Sequence, residues 1–253
     1  MSSTTTVAIA GISSRLALGV VASLLQRPDV TIRGSCRDSS KLPASLRNDP
    51  RVSIIQTGPY DKDALRGLLK SADVAMCTYF ADNQTMLEGQ KLLIDLCEEE
   101  GVMRYIASDY TTDYTKLDWG DIEFKDPMKH VKAYLETKKR VKGVHVLIGL
   151  LLDMNLDWLE LWDAKTKTLR YWGTGHEKWE FTTYQTAAEY VAAVAMDSSA
   201  VGVLKFLGDR KSMFEIADIM ESVYGFKPAL ESRGSLKDLA QRRASSGQQH
   251  PAK

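Results

Sequence analysis

Three groups of residues carry chemistry that can be read directly from this chain. The first lies in Val7-Ala8-Ile9-Ala10-Gly11-Ile12-Ser13-Ser14-Arg15-Leu16-Ala17, where Gly11, Ser14 and Ala17 recur at a fixed interval. An apolar strand, a glycine turn and a helix opening at Arg15 can cradle a phosphate. The turn brings backbone N–H groups close, and the helix N-terminus adds partial positive charge. Dinucleotide-binding turns carry glycine at all of these places. Here Gly11 supplies the turn and Ala17 suits close helix–strand packing. Ser14 puts a Cβ where backbone should approach a pyrophosphate, although its hydroxyl can donate in return. An ordinary buried strand and helix would use the same residues. The second group is Arg37 and Lys41, after the apolar strand Val30–Cys36. In such a sheet that strand ends beside an adenosine ribose, where an acid suits NAD and an arginine suits the 2′-phosphate of NADP. Asp38 is the competing acid, and a solvated loop is the plain alternative. The third group, Ser108, Asp109, Tyr110, Asp113 and Tyr114, follows an apolar strand and can handle protons.

The elements that must position these groups follow from periodicity. Short apolar runs predict strands at Val7–Ala10, Ile32–Cys36, Ile54–Gln56, Val74–Thr78, Met103–Ala107 and Val146–Ile148. Helical-period segments lie between them, including one from about Asn83 to Glu100 that Gly101 stops. Strands alternating with helices give an α/β chain with a parallel, doubly wound, Rossmann-type sheet. Ligands bind at the C-terminal strand ends of such sheets. Gly11, Arg37, Tyr79, Phe80, Ser108, Asp109 and Tyr110 therefore fall on one rim. Beyond Gly149 the alternation weakens. A hairpin is expected from Thr168–Trp172 and Trp179–Thr182, then a helix at Gln185–Met196, a strand at Gly202–Leu207 and a helix at Met213–Tyr224. The expected division is a dinucleotide-binding domain over 1–150 and a smaller α+β substrate lobe over 151–253, partly interleaved with the sheet. The polar stretch from Arg242 on reads as a disordered tail.

Composition bounds the function. The chain has 253 residues with 33 Lys+Arg against 33 Asp+Glu, so no basic excess points to nucleic acid. No apolar run reaches the length of a membrane span. The opening Met1-Ser2-Ser3-Thr4-Thr5-Thr6 has neither a basic region nor an apolar core of the signal type, which suits a cytoplasmic protein. Cys36, Cys77 and Cys97 lack metal-type spacing and read as core residues, and the four histidines form no ligand set. No metal is expected.

The order of these pieces resembles the NmrA-like, isoflavone-reductase-like branch of atypical short-chain dehydrogenases. The matching stretches are Gly11–Ala17, Cys36–Leu42, Ser71–Ala75, Tyr105–Tyr110, Thr182–Ala192 and Arg233–Leu239. The resemblance implies a Rossmann fold and NADP(H) binding, with either reductase chemistry or redox-sensing regulation. Gly11, Ser13, Ser14, Arg15, Leu16, Arg37, Lys41, Tyr79, Phe80 and Ser108 are then the expected cofactor contacts. Reductases of this group carry a lysine early in the helix after strand five, here Asp126–Glu136. Either Met128 or Lys129 falls at its place. Lys129, Tyr110 and Asp109 are the candidate catalytic groups. Tyr134 and Lys138 form a Tyr-x-x-x-Lys pair, but one placed at the wrong end of its helix for catalysis.

The leading expectation is an enzyme that reduces a carbonyl or conjugated double bond in a small molecule, held beside Tyr79, Ser108, Tyr110 and Tyr114 and closed by Met154 and Trp158. The first alternative keeps the fold without a redox step, as a lyase, isomerase or cyclase. The second is an NADP-sensing regulator. A small-molecule substrate is the expected partner, without nucleic acid or membrane, and a homodimer stays open.

Overall fold

The computed structural model describes residues 4–245. In chain order the elements are β1 (Thr5–Ala10), α1 (Arg15–Leu24), β2 (Val30–Cys36), α2 (Ala44–Arg47), β3 (Val52–Gln56), α3 (Lys62–Leu69) and β4 (Val74–Cys77). Next come α4 (Gln90–Glu100), β5 (Arg104–Ile106), α5 (Asp126–Glu136), β6 (Lys142–Leu147), β7 (Leu150–Leu151), α6 (Leu152–Trp158), β8 (Trp162–Asp163) and β9 (Thr168–Tyr171). The chain continues through β10 (Trp179–Thr182), α7 (Tyr184–Met196), β11 (Gly202–Lys205), β12 (Asp209–Lys211), α8 (Met213–Tyr224), β13 (Ala229–Ser232) and α9 (Leu236–Ser245).

Seven strands form one sheet in the order β11-β6-β5-β4-β1-β2-β3, and every pairing in it is parallel. All six strands expected from the apolar runs are present, and β11 adds a seventh beside β6. β4 and β5 are buried throughout, which is why they read as unbroken apolar runs. The chain leaves β1 toward β2 and β3, then returns to β4 on the other side. The crevice of this Rossmann-type sheet therefore opens at the ends of β1 and β4.

The chain separates into two compact units. One runs to Gly149 and resumes over Tyr184–Phe206; the other comprises Leu150–Thr183 and the chain from Leu207 on. In the first unit α1 packs with α7, while α3, α4 and α5 pack in series. The α1–α7 contact is so close that a Cβ on Gly19 would lie 2.8 Å from the Ala188 methyl. Arg104, buried at the start of β5, donates to the carbonyls of Val194 and Ala195 at 3.0 and 2.7 Å. It thereby satisfies acceptors at the open C-terminal end of α7. The second unit holds two three-stranded sheets, β12-β10-β7 and β13-β9-β8, with Leu161, Phe181 and Met213 at the centre of its core.

Two expectations are corrected. Thr168–Tyr171 and Trp179–Thr182 do not form a hairpin but enter different sheets. The turn between them is curled around Glu177, whose carboxylate accepts the N–H groups of Thr174 and Gly175, so the flanking strands diverge. The helix expected from about Asn83 to Glu100 is present and carries a π-turn over Thr85–Gly89. There the fully buried Gln90 amide donates to the Met86 carbonyl at 2.8 Å. Residues 242–245 of the polar tail belong to α9, and the remainder of that stretch lies outside the described residues.

Gly34 on β2 faces the glycine turn. A Cβ there would sit 2.3 Å from Ile12 Cδ1 and 2.9 Å from Ile12 Cβ, with Ile12 itself fully buried. Gly34→Ala should therefore cost about 1–3 kcal/mol, read as a lower urea midpoint. Adding Ile12→Ala should give a double variant more stable than the sum of the two losses. Simple additivity would mean that Ile12 has other room.

Candidate functional site

The glycine turn is stapled from both neighbouring strands. Gly11 has φ +87°, and a Cβ on it would lie 3.0 Å from Thr78 Oγ1 and 3.2 Å from the Tyr79 ring. The N–H groups of Gly11 and Ile12 both donate to the Ser35 carbonyl at 2.9 Å. From the other side, the Thr78 hydroxyl reaches the carbonyls of Ala10 and Gly11 at 3.0 and 2.8 Å. Ser14 is the N-cap of α1, and its Oγ accepts from Ala17 N–H at 3.1 Å. That bond uses an acceptor lone pair and leaves the hydroxyl proton to donate. Ser13 and Arg15 are exposed, with the Arg15 guanidinium 4.2 Å from the centroid of the Tyr184 ring. Leu16 is buried, so only its backbone can meet a ligand.

At the end of β2 the two cations differ. Arg37 is exposed and, among the described residues, carries no hydrogen bond or ion pair. Lys41 lies 3.9 Å from Asp38. The Asp38 carboxylate is occupied locally, accepting the Ser40 N–H at 3.0 Å and its hydroxyl at 2.6 Å. Those bonds hold its carboxyl below the usual range. The competing acid is thus engaged, and the guanidinium is open.

On the neighbouring rim the Tyr79 ring packs on Gly11 and Gly89, and Phe80 is 86% exposed. Ser108 is buried; its hydroxyl donates to the Tyr79 carbonyl at 2.7 Å and its N–H to Gln90 Oε1 at 2.9 Å. The backbone then turns sharply. Asp109 N–H donates to the Ala107 carbonyl at 2.8 Å, and Tyr110 has φ +39°, a sparsely populated region for a bulky residue. This corner sends Tyr110 Oη back to the Cys77 carbonyl at 3.0 Å.

The same corner buries Asp109 in a polar cluster. Its Oδ2 accepts the Tyr114 hydroxyl at 3.1 Å and pairs with His145 Nδ1 at 2.7 Å. Oδ1 is buried without a hydrogen-bond partner. Lys125 is buried as well and donates to Thr111 Oγ1. Its ammonium lies 4.9 Å from the centroid of the Phe124 ring. Lys125 is the N-cap residue of α5, and Thr111 is fixed by a bridge to Leu147 at the end of β6. Burial pushes the Lys125 ammonium down to about 8, with the charge of Asp109 opposing the shift. Burial and Asp109 push the Tyr114 phenol upward. The cluster can therefore hold or release a proton at Lys125 Nζ near neutral pH, while Tyr114 and Tyr110 remain phenols on fixed acceptors.

Other candidates sit elsewhere. Lys129 Nζ donates to the Asp118 carbonyl at 2.6 Å, pairs with Asp126 at 3.1 Å and lies 5.0 Å from the Trp119 ring centroid. Met128 is buried with Met86, Tyr114 and Leu147. Tyr134 and Lys138 share one oxygen of Asp95, at 2.7 and 2.5 Å, which suits a structural pair. Met154 and Trp158 lie one helical turn apart on α6, in the second unit. Lys125 and His145 are absent from the sequence-based candidates. A cation just before Asp126-Pro127 stands at the positive end of a helix, where local electrostatics gives no reason for it. His145 interrupts a buried strand. Both are signals visible in the residues. Among the described residues no His/Cys/Asp/Glu group suits a metal, and no helix is long and apolar enough to cross a membrane.

Comparison with known proteins places these features in context. The model of the NmrA-like family matches residues 3–233. No functionally curated sequence matches. Leucoanthocyanidin reductase of Vitis vinifera, solved with NADPH, superposes with a TM-score of 0.75 at 16% identity, covering 96% of this chain and 81% of that one. Triphenylmethane reductase of Citrobacter sp., complexed with NADP(H), gives 0.74 at 14% identity, with 98% and 85% covered. NmrA, described as a negative transcriptional regulator, gives 0.74 at 12% identity, with 90% and 74% covered. At these identities the likeness speaks for the fold.

The buried ammonium has a stability signature. Because its folded value of about 8 lies below the ordinary lysine value, the unfolded chain binds more protons between pH 8 and 10.5. The cost of Lys125 is thus fully present below pH 8 and fades as pH rises toward 10.5. Lys125→Met should be more stable than wild type at pH 7 by up to about 3 kcal/mol, with the gap closing toward pH 10. A gap independent of pH in urea titrations would contradict this.

Proposed function

The chain belongs to the NmrA-like family, and on that premise we propose that it is an NADP(H)-dependent reductase acting on a carbonyl or conjugated double bond of a small molecule. The observation that carries this reading is Lys125: a buried lysine at the N-terminus of α5, with no carboxylate in contact among the described residues and its ammonium pushed down to about 8. It is the group best suited to deliver a proton at neutral pH. Lys129, bound to Asp126 and the Asp118 carbonyl, is not free to do so.

The residues present fit a dinucleotide. The Gly11 position is one that a Cβ would crowd, the Ser14 hydroxyl keeps a proton for a phosphate oxygen, and α1 offers its N-terminus. Arg37 is open for a 2′-phosphate while Asp38 is held by Ser40. When bound, the nicotinamide supplies the hydride. Lys125 Nζ gives up its proton to the substrate atom that becomes electron-rich, and the burial of its side chain limits competing water. The structural neighbours solved with NADPH or NADP(H) support the same choice of cofactor. Ser14, in place of the second glycine, favours a cofactor-free lyase, isomerase or cyclase as the second reading.

Calorimetric titration decides among these. NADPH should bind more tightly than NADH, and Arg37→Ala should weaken NADPH about ten- to a hundredfold, as loss of a charge-assisted contact does, with NADH nearly unchanged. Lys125→Met should keep NADPH affinity and lose about 10²–10⁴-fold in turnover over a panel of enones, ketones and quinones. Tighter NADH binding overturns the specificity. Binding of neither cofactor leaves the non-redox reading in front, and NADPH binding without turnover of any substrate favours the regulator.

A further inference from the structure

A buried ammonium needs a counter-charge, and among the described residues none touches Lys125. Its recorded contacts are the Thr111 hydroxyl and the face of Phe124. On its own turn and helix, Glu123 forms no ion pair with it, and Asp126 is taken by Lys129 at 3.1 Å and by Gly120 N–H at 3.0 Å. From the preceding loop Tyr114, and from β6 His145, both direct their polar atoms at Asp109. That leaves Asp109, at the end of β5. One of its oxygens takes both of these partners, and the other, Oδ1, is buried and unpartnered. The positive end of α5 and burial both disfavour the ammonium; among the described residues the charge acting in its favour is that of Asp109, two residues before the Thr111 that holds Lys125.

The neighbours hold that carboxylate in place. The His145 ring lies against Gly143, where a Cβ would come within 2.9 Å of Nε2, so the missing side chain makes room for the imidazole. Two bonds to Oδ2 fix the carboxyl plane and leave Oδ1 as its free acceptor.

We propose that Asp109, held by His145 and Tyr114, is the positioning residue that keeps Lys125 protonated between turnovers. Its catalytic meaning rests on the assignment of Lys125 as proton donor. In the step it serves, an N–H bond of Lys125 breaks toward the substrate, and the neutral amine takes a proton back from water.

The test reads Lys125 directly and needs no turnover. Full-length protein carrying [ε-¹³C]lysine is titrated by NMR, with the Lys125 signal assigned by its loss in Lys125→Met. Asp109→Asn should lower the Lys125 midpoint by about one pH unit or more, as removal of a nearby opposite charge does. Tyr114→Phe takes a donor from Oδ2, leaves the negative charge of Asp109 less compensated by hydrogen bonding and should move the Lys125 midpoint upward, which keeps the test available should Asp109→Asn fail to fold. An unchanged midpoint in Asp109→Asn, or a lowered one in Tyr114→Phe, overturns the proposal. The two failures are separable: a midpoint that falls in Asp109→Asn in a protein that reduces nothing sustains the pairing and rejects the reductase. Reductase activity with an immovable midpoint does the reverse.

Discussion

One carbonyl governs the architecture of the rim. The Ser35 oxygen on β2 accepts from both Gly11 and Ile12, and the Thr78 hydroxyl on β4 answers from the other side by donating toward Ala10 and Gly11. β1 is thereby tied to both neighbours at the point where the strand order reverses. Without those ties the turn would have to satisfy its polar groups with water, and the crevice would lose its floor. Everything placed on that floor, from the α1 N-terminus to the Tyr79 ring, inherits its position from this short exchange of backbone bonds.

The second organising feature is a strained corner. After β5 the chain must send Ser108, Asp109 and Tyr110 in three directions within three residues. It does so through a tight Asp109–Ala107 bond and a positive φ at Tyr110. The cost is met by burial of Tyr110 and its bond to the Cys77 carbonyl. Strain at such a place is a mark of a site whose geometry matters more than its local comfort.

How much of this was legible in the residues depends on the range of the interactions. The parallel sheet was legible, because strands buried on both faces write themselves as apolar runs, and so was the glycine turn. Ser14 was read only as a replaced glycine; that it caps the start of α1 shows in the fold. The π-turn at Thr85–Gly89 was not legible, since it depends on a Gln90 side chain turned inward by partners at Tyr105 and Ser108. The hairpin failed for a similar reason: Glu177 curls the turn locally, and β9 pairs with the preceding β8 and the distant β13 while β10 pairs with β7 and β12. At the candidate site, Asp109 and Tyr114 were read from their place after β5. Lys125 was overlooked in favour of Lys129 because sequence spacing gives helical phase but not burial. His145 is visible in the sequence as a break in an apolar strand, but its partner Asp109 is set only when β5 and β6 lie side by side.

The return of the chain to its first unit has a consequence for biogenesis. α7 covers the small face of α1 at Gly19, supplies the carbonyls that receive Arg104, and leads into β11, the last strand of the sheet. A nascent chain that has emerged only as far as Gly149 exposes that face and carries a guanidinium without its acceptors. The N-terminal sheet thus stays unfinished while the segment Leu150–Thr183 is being made, and closes only when residues up to Phe206 have arrived. The intervening segment behaves as an insertion into a domain rather than a module appended to one, so cutting the gene after the sixth strand would yield an aggregation-prone fragment, not a smaller folded domain.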